Sequence, residues 1–150
     1  MNISLLTKSA LVSYTAAQVS YLYCTMAKKI IVSVTNDLTT DQRVAKICDT
    51  LMELNYDVTL VGRILNHSKS INRPYKTKRF RLWFNNGPLF YANYSIRLYW
   101  YLMFRPFDVL WSNDLDTLWP NYAISKLKGK RLLFDSHEYF TEVPELVNRR

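Results

Sequence analysis

Two short apolar runs rich in β-branched residues, Ile30 to Thr35 and Asp57 to Gly62, enclose a single amphipathic repeat, and no other feature constrains the chain as strongly. Between them Thr39-x-x-Gln42 has the spacing of a capping box, and Val44, Ile47, Cys48, Leu51 and Leu54 recur at helical spacing. Strand, helix and strand in that order form a β-α-β unit. Such a crossover is right-handed with few exceptions and returns the second strand parallel to the first, so a parallel sheet follows.

The rest of the chain continues the alternation. Arg63 to Thr77 is polar, basic and broken by Pro74, which predicts a surface loop. Lys78 to Phe84 sets Phe80, Leu82 and Phe84 against Arg79, Arg81 and Trp83, the period of a half-exposed strand. Pro88 to Phe104 is long enough for a helix, with Pro88 suited to its first turn and a narrow polar stripe at Asn93, Arg97 and Tyr101. Asp108 to Ser112 is a further strand, Asn113 to Thr117 a loop, Leu118 to Lys128 a helix that Gly129 stops, and Arg131 to Phe134 the last strand. The expected fold is α/β, a doubly wound parallel sheet.

Ser9 to Thr25 is apolar but too rich in Ser, Thr, Tyr and Gln to make a good membrane span, and Met26-Ala27-Lys28-Lys29 resembles a natural start. Residues 1–25 are therefore expected to be an extension outside the fold, without order of their own. Residues 26–150 are expected to form one domain, incomplete at its carboxyl end, because no helix follows the last strand and Arg149-Arg150 stand where a loop should lead onward.

Composition removes several classes of function. The glycines, Gly62, Gly87 and Gly129, do not form a Gly-x-Gly-x-x-Gly turn after the first strand, which argues against a standard NAD or FAD site. Cys24 and Cys48 suggest neither a disulfide framework nor a metal motif and fit a reducing compartment. The formal charge of +8 is uneven: nine Lys and Arg and no Asp or Glu lie between Val58 and Phe107. That stretch should seek an anionic surface. Core packing is the leading reading of its aromatic rings; an interface with another domain and a peripheral association with anionic membrane through Arg79, Arg81, Arg97 and Arg105 are the alternatives. A nucleic-acid partner is not expected, since no binding motif accompanies the charge.

Loops at the carboxyl ends of three strands are charged: Asn36 to Arg43, Asn113 to Thr117, and Asp135 to Glu145. In a doubly wound sheet these ends share one crevice. Arg43, a cation in the first turn of a helix, opposes the macrodipole at a cost of about 0.3–1 kcal/mol. Either a local pair with Asp41 or Asp37 compensates it, or it is an arm for an anionic or hydroxyl-rich ligand. His137, between Asp135 and Glu138 just beyond a buried strand, is placed for hydrogen bonding or acid–base work, although a surface-loop histidine is often inert. His67, in a basic loop, reads as solvated. Asp114-x-Asp116 has a spacing that can bind a divalent ion, but capping of the following helix by Asp116 is the better expectation.

Ile30-Ile31-Val32-Ser33-Val34-Thr35-Asn36-Asp37-Leu38-Thr39-Thr40-Asp41-Gln42-Arg43-Val44, Asp57 to Arg63, Ser112 to Thr117 and Asp135 to Leu146 resemble, in order, the amino-terminal domain of bacterial glycosyltransferases of the retaining family 4, GT-B fold. The resemblance spans about Lys28 to Arg150. It implies the first of two Rossmann-like domains, holding the acceptor, with a missing carboxy-terminal domain that binds most of the nucleotide-sugar donor. It also implies no metal and no cofactor. By motif position His137 is the catalytic candidate near the donor sugar. Asp37, Asp41, Arg43, Asn113, Asp114, Asp116, Glu138 and Glu142 form the substrate-binding set. The loop after the first strand lacks the glycines common in the wider family, and the segment before Met26 is outside its pattern.

The function expected from the resemblance is transfer of a sugar from a nucleotide-sugar donor to a glycan, lipid-linked or small-molecule hydroxyl in building cell-envelope polysaccharide. Its location would be the cytoplasm or the inner face of the cytoplasmic membrane, and the chain alone would be inactive without the donor domain. The rival from another class is a non-catalytic Rossmann-like binding module or a degenerate fragment.

Overall fold

The computed structural model describes residues 27–136, so the 1–25 extension, and His137, Glu138 and Glu142 with the rest of their loop, lie outside the described residues. Among the described residues the elements are β1 (Lys29–Asp37), α1 (Gln42–Glu53), β2 (Asp57–Ile64), β3 (Lys76–Arg81), α2 (Pro88–Met103), β4 (Val109–Ser112), α3 (Leu115–Lys128) and β5 (Arg131–Phe134). All strands pair in parallel in the order β3-β2-β1-β4-β5. The chain winds outward from β1 to β3, then crosses back through α2 to β4 on the other side of β1. This is the Rossmann-like α/β architecture that the alternating elements predict, and β1/β4 is its switch point.

Strand alternation divides the core into two layers. Ile30, Val32, Val34, Val58, Leu60 and Val109 face Val44, Cys48 and Leu51 of α1. No helix joins β2 to β3; Ile71 and Tyr75 of the intervening loop pack on this layer instead. On the opposite face Ile31, Val61, Phe80 and Leu110 meet Phe90, Tyr94, Leu98 and Leu102 of α2 and Ile124 of α3. The i, i+4 row on α2 explains why one side of this aromatic helix is fully buried, and truncating Leu98 or Leu102 to Ala should cost about 2–5 kcal/mol.

Several boundaries differ from those expected. Helix α1 opens at Gln42 with Asp41 as its N-cap, and the Thr39–Gln42 capping box does not form. Asp37 has already engaged that turn: its side chain accepts from Thr39 N–H at 3.1 Å and its carbonyl from the Thr40 hydroxyl at 3.1 Å. β2 runs on to Ile64, so Arg63 belongs to a strand end and not to the surface loop. β3 ends at Arg81; Leu82 stays buried while Trp83 and Phe84 turn out to solvent. Helix α3 starts a turn early, at Leu115, because the Thr117 N–H and hydroxyl both donate to the Asp114 carbonyl, at 3.1 and 3.0 Å.

Candidate functional site

The site is built on an irregularity in β1. Its register with β2 is regular from Lys29↔Asp57 to Ser33↔Val61 and resumes at Asp37↔Arg63, so β1 spends extra residues, Val34 to Asn36, where β2 has only Gly62 between the pairs. A bulge of this kind orphans backbone groups, which must find other partners when buried. The fully buried Tyr94 hydroxyl of α2 donates to Val34 O at 2.6 Å. The Asp114 carboxylate, at the start of α3, accepts from Thr35 N–H at 3.4 Å and more weakly from its hydroxyl at 3.5 Å. Burial drives the Tyr94 phenol far above its ordinary pKa, with the Asp114 charge adding to the shift, so it remains a donor.

Gly62 makes room for this arrangement. A Cβ there would lie 2.4 Å from Leu38 Cδ2 and 2.9 Å from Asn36 O, so the folded-over end of β1 lies directly on the glycine. Beneath the loop after β4 a polar network replaces apolar packing. Asn121 donates to Ser33 Oγ at 2.6 Å and to Thr117 O at 2.7 Å, while the Ser112 and Thr117 hydroxyls meet at 2.7 Å. All four residues are fully buried, so these bonds fix α3 against β1 and β4 and thereby fix Asp114.

The carboxyl ends of β1, β4 and β5 then enclose a crevice of 410 Å³. Thr35, Asn36, Arg63, Asp114, Asp116 and Asp135 supply its polar walls, and Phe90, Tyr91 and Phe134 supply rings. Arg63 lies with its guanidinium 4.6 Å over the Phe90 ring and donates to Asn85 O at 3.4 Å. A larger hollow of 760 Å³ opens at the amino ends of the strands, lined by Lys29, Arg105, Lys128 and Arg131. Ligands of open parallel sheets bind beyond the carboxyl ends, so the smaller crevice is the candidate.

Of the expected set, Asp114 and Asp116 line the crevice. Arg43 pairs with Asp114 at 3.8 Å, neither with its neighbours Asp41 and Asp37 nor free as an arm, and its Nη1 is buried without a hydrogen-bond partner among the described residues. Asp41 is committed to the N-cap, accepting from Val44 N–H at 3.1 Å and from the Asn36 amide at 3.2 Å. Asp37 is buried and accepts from the Ser68 hydroxyl; burial raises its carboxyl, but bonds from Ser68 and Thr39 and the field of Arg79 outweigh this and hold it below its ordinary value. Asn113 is fully buried, with both side-chain polar atoms unpartnered among the described residues.

Asp116 does not cap α3. It sits in the first turn, where a carboxylate favours the helix dipole, and desolvation followed by the Asp114 charge raises its pKa. Asp114 occupies the cap position, but its side chain is drawn across to Thr35 and Arg43 and makes no cap bond. Arg63 and Tyr91 were missed. For Arg63 a signal existed: it follows Gly62 at the carboxyl end of β2, the same edge of the sheet at which β1 carries Asn36 and Asp37. Among the described residues no three His, Cys, Asp or Glu side chains gather to hold a metal ion.

No family model matches the chain, and no curated protein matches it. Among solved structures it is similar to the C-terminal domain of a hydrogenase from Pyrococcus furiosus, with TM-score 0.52 and 15% identity over 73% of this chain and 93% of that one. It is also similar to the UDP-GlcNAc 2-epimerase of Methanocaldococcus jannaschii, with TM-score 0.46 and 14% identity over 81% of this chain and 35% of that one. The hydrogenase likeness bears on the fold alone, and the epimerase likeness is too loose to carry further weight. The chain is an α/β, Rossmann-like domain.

Proposed function

We propose that the chain is the acceptor-side, amino-terminal domain of a two-domain retaining glycosyltransferase of family 4. One observation carries the reading: among the described residues, the four stretches that bear the resemblance bring Asn36, Arg63, Asp114 and Asp135 to the carboxyl edge of one sheet, around one crevice. A hydroxyl acceptor needs carboxylate and amide acceptors for its O–H groups and a ring to pack on. Asp114, Asp116, Asp135, Asn36 and Tyr91 supply these. In this reading the anomeric carbon passes from the donor's diphosphate to an acceptor hydroxyl, the diphosphate is held by the other domain, and His137 hydrogen-bonds the donor sugar. Arg43 and Asn113 stand behind the wall as positioning residues, and Asp37 and Asp41 keep the loop after β1 in shape.

The test is a titration of the isotope-labelled chain with soluble glycosides and, separately, with nucleoside-diphosphate sugars. Glycosides should shift the amide signals of Thr35, Asn36, Asp114 and Asp135, with weaker effects from the nucleotide sugars. Shifts confined to the amino-terminal edge of the sheet, or no response to any carbohydrate, would count against the reading and favour a non-catalytic binding module. In protein that transfers sugar, His137→Ala should lower turnover by roughly 30- to 1,000-fold, the cost of one lost site hydrogen bond, without a matching loss of stability.

A further inference from the structure

Helices α2 and α3 lie on one face of the sheet, and each carries a second apolar row pointing away from it. On α2 this row is Leu89, Ile96 and Trp100, continued by Phe104 at its carboxyl cap; on α3 it includes Trp119 and Tyr122. Phe104 is 76% exposed, Trp119 63% and Trp100 54%. The rows adjoin: Tyr99 stacks on Trp119 at 5.9 Å, and Trp100 stacks on Phe104 at 5.9 Å. A helix apolar on its outer side as well as its inner side needs a cover, and a continuous exposed aromatic layer marks an interaction surface.

Charge identifies the cover. Helix α2 has no carboxylate, and α3 has only Asp116, at its crevice end. Cations stand beside the layer: Lys126 lies 5.6 Å over its Tyr122, while Arg97, one turn before Trp100, lies 5.1 Å over Trp83, and Arg105, next to Phe104, lies 5.3 Å over the half-buried Tyr101. A second copy of the chain seated on this layer would bring cations against cations. A domain facing the crevice would meet the carboxyl edge of the sheet, not this face. Aromatic rings with basic residues alongside match the interfacial zone of an anionic bilayer.

The four cations of the membrane alternative do not share one side. Strand alternation turns Arg79 and Arg81 away from Phe80, and so away from the face on which Phe80 packs with α2. Arg79 is also engaged, donating to Lys69 O at 2.9 Å. Arg97 and Arg105 remain with the aromatic layer.

We infer that the outer face of α2 and α3 lies on an anionic phospholipid surface, with Trp100, Phe104 and Trp119 at headgroup depth and Arg97, Arg105 and Lys126 on the phosphates. No helix among the described residues is long and apolar enough to cross a membrane. The crevice edge of the sheet then stands at the rim of the docked face.

The experiment is co-sedimentation of the full chain with phosphatidylcholine vesicles, with and without phosphatidylglycerol, at low and high salt. The chain should partition onto the anionic vesicles and release as salt rises. Trp100→Ser with Phe104→Ser should weaken partition by about tenfold or more, and Arg97→Gln with Lys126→Gln by about fivefold per charge at low salt. All four positions are at the surface, and circular dichroism verifies that the variants fold. Absence of binding at low salt, equal binding to both vesicle types, or unchanged binding of the Trp100/Phe104 variant overturns the inference. So does a solution dimer that this variant dissolves, which would make the face a contact between copies.

Discussion

Gly62→Ala tests the physical basis of the crevice most directly. Gly62 has no left-handed backbone, so the substitution strains nothing locally and its effect is steric. The added carbon would lie 2.4 Å from Leu38 Cδ2, 2.8 Å from Leu38 Cγ and 2.9 Å from Asn36 O. Carbon pairs settle near 3.5–4.0 Å, so the overlap with Leu38 is about 1 Å. Leu38 is 2% exposed within the core and cannot swing into solvent, and the third atom is backbone. Overpacking of this kind costs about 1–3 kcal/mol, and the unfolded-chain entropy removed by alanine returns about 0.4–1 kcal/mol. The net expectation is a loss of about 1.5 kcal/mol, or roughly 3–6 °C in Tm for a chain of this size. Thermal and urea unfolding followed by circular dichroism measure it. Because two of the three close atoms belong to Leu38, the alanine should cost at least ~1 kcal/mol less in a Leu38→Ala background. A Gly62→Ala protein as stable as the parent, or a double mutant whose effects add within ~0.3 kcal/mol, would refute the packing of the β1 bulge over β2.

Tyr94→Phe removes the hydroxyl that holds Val34 O and should cost about 1–2 kcal/mol in urea unfolding with little change in the far-ultraviolet spectrum; a neutral effect would mean that the bulge does not depend on it. Asp37 has a depressed folded-state pKa, so its contribution is complete above the ordinary carboxylate value near ~3.9 and is lost as pH falls through the lower folded value. The stability gap between the parent chain and Asp37→Asn should accordingly be constant from neutral pH down to the ordinary carboxylate range and close below it; a gap independent of pH would remove the carboxylate from the account. Burial, followed by the nearby Asp49 charge, pushes the Cys48 thiol up to about 12. Peptide mapping after iodoacetamide treatment near pH 8 should find Cys48 unmodified in native protein and alkylated in urea, and rapid native alkylation would contradict its place in the core.

What the sequence determined by itself was whatever a short window can encode. The runs from Ile30 and from Asp57, with the helical repeat between them, require a β-α-β unit, because period and polarity act over a few residues. Gly129 ends α3 in the left-handed conformation that its lack of a side chain permits. The gathering of the loops at Asn36, Asn113 and Asp135 on one edge follows once the strands are parallel. Tertiary structure decided which polar groups met. Asp114 could not be assigned to Thr35 and Arg43 from spacing, because the Thr35 bond spans 79 positions and exists only since the β1 bulge frees that amide. The same pull across the switch point draws Asp114 away from its own helix and leaves Asp116 as a first-turn charge. Likewise the acid-free stretch announced a cationic surface, but its division between two sides of the sheet depended on β3 alternation and on the return of α2 across it. Periodicity reports which residues turn inward; the partners of a buried polar group are set by strand order and register, which bring together residues far apart in the chain.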